Sequence, residues 1–312
     1  MRNPADLYEW AMEPRLVPRG LPLIAGLSGF ADAGHTVLQL GAYVLGTLEH
    51  EMLAEFEPDI LLDYRARRPV ITFSRDHISD YQPPKLALYL AYDELHRPFL
   101  FLHGYEPDFE WRAFSAAVID LVGELGVSGL TWIHGVPMPI PHTRPVGVTV
   151  SGNRRDLIDQ FSIWRPVTQV PGTALHLIEY DLTQDDLDVV GFVFLVPHYL
   201  GDTEYPTALI TALQKISAAT GLIFPTDSLR DAERDYLSNI DEQVQGNSEL
   251  QRLIHALEER HDSYLAENPL PSGAIADSQA SLPSADEIAA ELEKFLAVRR
   301  HSDDENGRDS LF

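Results

Sequence analysis

The chain contains no cysteine among its 312 residues. That single absence excludes disulfides, zinc–thiolate centres, iron–sulfur clusters and thiol nucleophiles, and it fits a reducing compartment. Long hydrophobic runs are missing too: nothing approaches the ~20 apolar residues that cross a bilayer. The opening MRNPADLYEW has Asp6 and Glu9 and no apolar stretch, which argues against a secretory signal and for a cytoplasmic protein. Positive charge is scarce. Lys and Arg number 23 against 48 Asp and Glu, a formal charge of −25 that repels nucleic acid and anionic lipid. The cluster Arg65, Arg67 and Arg68 is too small to reverse that repulsion. Complete catalytic signatures are also absent. HExxH spacing does not occur, so no metal and no cofactor is expected. Gly34 is followed by His35 and Thr36 rather than the Lys and Ser/Thr of a P-loop, and Phe30 stands where a nucleophile elbow needs glycine.

What is present is 45% hydrophobic and patterned for a globular core. Four apolar runs, Leu21–Leu27, Phe99–Leu102, Leu130–Ile133 and Val189–Val196, each break off at a Gly or His that opens a polar loop. Most of those loops lead into helix-patterned sequence. This is the rhythm of an α/β fold, and parallel strands would gather the loops on one edge, where such folds bind ligands. Further strands are expected at Pro69–Ser74, Lys85–Tyr92 and Val146–Ser151. Helices are expected at Ala31–Thr47, Phe109–Leu125 and Thr207–Thr220. After Pro225 two amphipathic stretches meeting near Gly246 predict a helical hairpin. The reading is a core over 1–225, a hairpin over 226–268, and over 269–312 a linker, a short helix opened by Ser284 and Glu287, and a disordered acidic tail.

The loops supply the candidate pocket. In GLSGFADAG, Ser28, Gly29, Asp32 and Gly34 precede a helix whose amides could hold an anion, although Ser28 or Asp32 capping that helix explains the same residues. HGYEPD sets His103, Glu106 and Asp108 beyond a strand as acid, base or hard-metal candidates, with Asp108 placed to cap the helix at Phe109. His134 and His198 end the other two runs. In PHTRP, the flanking Pro141 and Pro145 hold Thr143 and Arg144 extended. Arg144 suits either a carboxylate or phosphate ligand or an internal pair with Glu106 or Asp108.

GFADAG, EPD followed by YRARRP (Glu57 to Pro69), HGYEPDFEW and PHTRP together resemble the proteasome assembly chaperone 2 family, over roughly residues 1–225. The stand-alone actinobacterial members, which add a helical C-terminal extension, are the most similar in plan. The resemblance implies a three-layer α/β fold similar to the purine nucleoside phosphorylases, and a homo-oligomer with a trimer favoured. It further implies a non-enzymatic role beside a proteasome-related partner. Asp309, Ser310, Leu311 and Phe312 depart from the family's docking tail, with leucine where tyrosine is wanted. The alternative is a small-molecule enzyme of phosphorylase or hydrolase type, using the first loop for an anion, Arg144 as clamp and Glu106 or a strand-end histidine as acid/base.

Overall fold

The computed structural model describes residues 2–268 apart from Pro166 and Asp186. Its strands are β1 (Tyr8–Trp10), β2 (Pro22–Ser28), β3 (His50–Phe56), β4 (Val70–Ser74), β5 (His77–Gln82), β6 (Leu86–Tyr92), β7 (Pro98–Tyr105), β8 (Gly129–Met138), β9 (Val148–Gly152) and β10 (Asp188–Pro197). The helices are α1 (Thr36–Thr47), α2 (Pro58–Leu61), α3 (Trp111–Leu125), α4 (Arg155–Phe161), α5 (Ala174–Gln184), α6 (Pro206–Thr220), α7 (Asp227–Gln245) and α8 (Ser248–Glu267).

An eight-stranded sheet runs β1-β3-β6-β7-β2-β8-β10-β9. Its centre, β7-β2-β8-β10, is parallel and is made of the four apolar runs. β6 and β9 flank it antiparallel, and β3 and β1 extend the sheet beyond β6 by successive antiparallel pairings. The carboxyl ends of the central strands therefore lie along one edge. Central parallel strands are buried on both faces, which explains why they read as unbroken apolar runs rather than as alternation.

Alternation nevertheless divides their side chains. Leu23, Leu100, Leu102, Leu130 and Trp132 join one core with Phe114 and Leu121 of α3 and Ile178 of α5. Ile24, Phe99, Phe101, Ile133 and Phe192 join the other with Val37 and Leu40 of α1 and Leu213 of α6. A large sheet with helices on both faces is thus what the folded chain shows. Ile240 of α7 joins the second core, so the helical hairpin packs through its apolar stripe.

Several expectations change in detail. The helix foreseen from Ala31 begins at Thr36, after Ala31 at φ 48° and a 3₁₀ turn over Ala33–His35 in which Gly34 has φ +67° and His35 φ 48°. No apolar period marks β3, β5 or α5 strongly enough to be found in the sequence. The segment Pro69–Ser74 does not enter the main sheet: β4 pairs only with β5. The linker, the helix opened by Ser284 and the tail lie outside the described residues.

Candidate functional site

A pocket shared by the strand-end loops requires Gly29, His103, His134 and His198 as neighbours on one rim. Gly29 follows the last residue of β2 and His198 the last residue of β10, as expected. His103 and His134 instead sit within β7 and β8, on opposite faces of the sheet. His103 stacks on Phe101 at 5.2 Å, and its Nδ1 is 3.1 Å from the Gly26 carbonyl oxygen. Its ring occupies the space over Gly41 of α1, where an added Cβ would stand 2.0 Å from Nε2. His134 follows Trp132 by two residues and so points to the α5 side, where His176 is its neighbour. Burial holds both histidines down to about 4, and His176 adds to the effect at His134.

The loop after β2 is consumed by the fold. Ser28 Oγ donates to the Gly104 carbonyl at 3.2 Å. Asp32 accepts from the Val37 and Leu38 amides at 2.8 and 3.1 Å, so it satisfies the first turn of α1 in the place an external anion would take. Its pKa is raised, because burial outweighs those amides. The Gly34 amide donates to Gly201 at 2.8 Å and its carbonyl accepts from Tyr205 at 3.0 Å, tying this loop to the one after β10. A Cβ at Gly34 would lie 3.0 Å from the Tyr205 Cβ, and the positive φ adds a second reason for glycine.

Glu106 is the most informative member of the set. Its amide donates to Ser28 O at 2.8 Å, and its Oε1 accepts from the Ala174 amide at 2.7 Å. The Phe30 amide also bonds its carboxylate. Gly29 has no side chain because Glu106 is there: a Cβ would meet Glu106 Cβ and Oε2 at 2.6 Å. A buried carboxylate therefore fastens the loop after β2 to the N-terminus of α5, complementing the helix dipole. Burial raises its pKa, while the two amides and Arg67 oppose the shift.

Asp108 does not cap α3, which starts at Trp111 behind Glu110. The Asp63 amide donates to Asp108 Oδ2 at 2.8 Å and Arg67 Nη2 lies 2.9 Å from Oδ1. Arg67 also donates to the Glu106 carbonyl at 2.5 Å. The basic cluster thus spends one arginine on the loop that sequence reasoning gave to catalysis.

PHTRP has a different destination from both expected ones. Arg144 grips Asp262 of α8 with Nε at 2.8 Å and Nη2 at 2.6 Å, and Nη1 reaches Glu258 at 3.3 Å. Thr143 Oγ1 donates to Glu258 Oε1 at 2.5 Å. Glu258 and Asp262 are one helical turn apart, a spacing that presents two carboxylates to one guanidinium. Arg144 holds the carboxyl of Asp262 down to about 2. Neither Glu106 nor Asp108 is its partner. In Arg144→Ala, the α8 amides are expected to exchange with solvent severalfold faster while those of β2 and β8 stay protected. Unchanged α8 exchange would remove the tether from the account.

One polar network has no signature in the sequence. Glu179 of α5 accepts from Trp132 Nε1 at 2.6 Å and from Ser151 Oγ at 2.9 Å, and His176 packs edge-on against Trp132. Nothing in the spacing of residues 132, 151 and 179 marks them as partners. Among the described residues no group of three or more His, Cys, Asp or Glu could hold a metal ion, and no helix is long and apolar enough to cross a membrane.

Residues 26–244, the strand-end loops and α7 included, match the model of the PAC2 family. The chain belongs to the PAC2 family. A Mycobacterium tuberculosis protein, Rv2714, described as of unknown function, is similar at 38% identity and TM-score 0.78, over 83% of this chain and 92% of that one. A Corynebacterium glutamicum protein, also described as of unknown function, shares 34% identity at TM-score 0.79, over 84% and 98% of the two chains. The M. tuberculosis proteasome-assembly chaperone homologue Rv2125 shares the fold at 21% identity and TM-score 0.69, over 75% of this chain and 100% of that one. No curated protein matches the chain.

Proposed function

We propose that this PAC2 protein is a cytoplasmic, self-associating assembly factor that acts by presenting protein-binding surfaces to a proteasome-related partner rather than by catalysis. One observation carries the reading. The carboxylates nominated for chemistry are spent within the protein itself, Asp32 on the N-terminus of α1, Glu106 on that of α5 and Asp108 on Arg67, and Arg144 is spent on α8. An enzyme of phosphorylase type needs such groups free to meet substrate. Family membership and the fold shared with a proteasome-assembly chaperone homologue point the same way. The nucleoside-phosphorylase kinship of the fold belongs to this same reading.

The test mixes the full-length protein with proteasome α subunits encoded in the same genome and follows the mixture by native mass spectrometry. A defined complex, or faster appearance of α rings, is the expected result. Absence of any complex, together with a rise in melting temperature on adding phosphate or a nucleoside, would overturn the proposal in favour of a small-molecule enzyme.

A further inference from the structure

The two helices of the C-terminal hairpin are held in different ways. α7 is part of the body of the molecule: Ile240 is buried in the second core, and Leu229, Tyr236, Leu237 and Val244 pack against it. None of the described residues of α8 joins either core. α8 buries only Ile254 and Leu257. Its polar ties run from Thr143 and Arg144 to Glu258 and Asp262, and from the Tyr264 hydroxyl, which donates to the Ile163 carbonyl at 3.2 Å. The Arg144, Glu258 and Asp262 side chains are 32, 25 and 51% exposed, so each ion pair contributes little by itself. α8 is the separable half of the hairpin.

The joint between the helices leaves helical geometry at one residue. Gly246 has φ −77° and ψ −10°, in the right-handed helical region, and only Asn247 is extended, at φ −133° and ψ 104°. Gly246 is not there for backbone freedom. Its φ is negative, and an added Cβ would meet the Glu242 and Gln243 carbonyl oxygens at 3.6 and 3.7 Å, an ordinary contact. What glycine does at this point is weaken any continuation of α7. Asn247 works in the same direction by capping α8, its Oδ1 accepting from the Glu249 and Leu250 amides at 3.0 and 3.2 Å. Rotation at Asn247 would fuse the two helices into one of about 60 Å and carry α8 off its own Arg144.

We infer that Asn247 is a hinge through which two copies of this chain exchange α8, so that Glu258 and Asp262 of each copy seat on Arg144 of the other. The closed form itself identifies the occupant. α8 already fills the seat, with two carboxylates one helical turn apart on one guanidinium, and an exchanged α8 makes the same contacts. Two copies therefore give up no contact at the seats by exchanging, and the resulting two-fold dimer closes on itself. Concentration and the two hinge residues set the balance, because a tethered α8 meets its own seat at a roughly millimolar effective concentration. The exchange rests on the reading of the protein as self-associating and supplies the contact for it.

Two full-length variants provide the test. Arg144→Glu repels its own α8, and Glu258→Arg with Asp262→Arg repels its own Arg144. Neither can seat α8 in cis or on its like, whereas a mixture of the two restores attraction at both seats. Native mass spectrometry of the mixture is expected to show a 1:1 heterodimer in preference to either homodimer. Ser248→Pro in both chains is the control. Proline suits the first position of α8 and the extended Asn247 before it but cannot lie inside a continuous helix, so the preference should vanish. In the otherwise unsubstituted chain, Gly246→Ala with Asn247→Ala removes both brakes. At ~10-fold per hinge and two hinges per dimer, dimerisation by sedimentation velocity should strengthen ~100-fold. No preferred heterodimer, or one that survives Ser248→Pro, would overturn the exchange. So would a hinge variant that associates no better than the parent. If the exchange fails while the parent still sediments as an oligomer, self-association stands on another surface; if parent and hinge variant are both monomeric, both readings fall.

Discussion

Gly104→Ala is expected to abolish folding. Gly104 lies in β7, at φ +146°, a region closed to side-chain-bearing residues. A Cβ there would stand 2.1 Å from the Lys85 carbonyl oxygen and 2.5 Å from the Leu86 Cα, both backbone atoms of the paired β6 segment. No rotamer change relieves a clash between two backbones, so β6 and β7 would have to part. Because β7 also pairs with β2, the damage reaches the parallel centre of the sheet. The expected loss exceeds ~4 kcal/mol, at the extreme of single substitutions. Chemical denaturation, or the yield of soluble protein, measures it. A soluble Gly104→Ala protein melting within a few degrees of the parent would show that the two strands do not approach this closely.

Acid is expected to be the second large perturbation, through two histidines that play no part in a shared pocket. His103 and His134 are held near 4 when folded, against about 6.5 when unfolded. A depressed histidine pKa means that the unfolded chain binds the proton first. Its contribution is therefore complete above pH 6.5 and is lost as pH falls from 6.5 towards 4. Each group can remove on the order of 3 kcal/mol over that window, at 1.36 kcal/mol per pH unit. Both together rival the whole stability of a typical domain. Asp32, Glu106 and Glu179, whose pKa values burial raises, act with the opposite sign as the pH falls. Comparison with His103→Gln and His134→Gln isolates the histidine share. Each variant should lose less stability than the parent between pH 6.5 and 4, by urea midpoints. Parallel pH profiles would show that these rings are solvated.

Much of the fold was legible because its signals are local. The four central strands read as apolar runs, since a strand buried on both faces admits little else. α7 and α8 read as amphipathic helices with a break at Gly246, since their stripes repeat at helical spacing. The β4–β5 pair was half legible: Pro69–Ser74 has strand composition, but nothing local tells that it pairs outside the main sheet. Asp108 misled for a physical reason. A carboxylate just before a helix usually caps it, and here Arg67 and the Asp63 amide hold it instead.

By itself the sequence determined that the chain has no thiol chemistry, and it marked the parallel centre of the sheet and the helical hairpin that follows, because composition and periodicity depend only on near neighbours. Tertiary structure alone decided the fate of the candidate residues. His103 and His134 part company because strand alternation sends them to opposite faces. Glu106 meets Ala174 68 positions away, and Arg144 meets Asp262 118 positions away. Long-range partners of that kind leave no period in the chain; they are chosen by which loops and helices the sheet brings together.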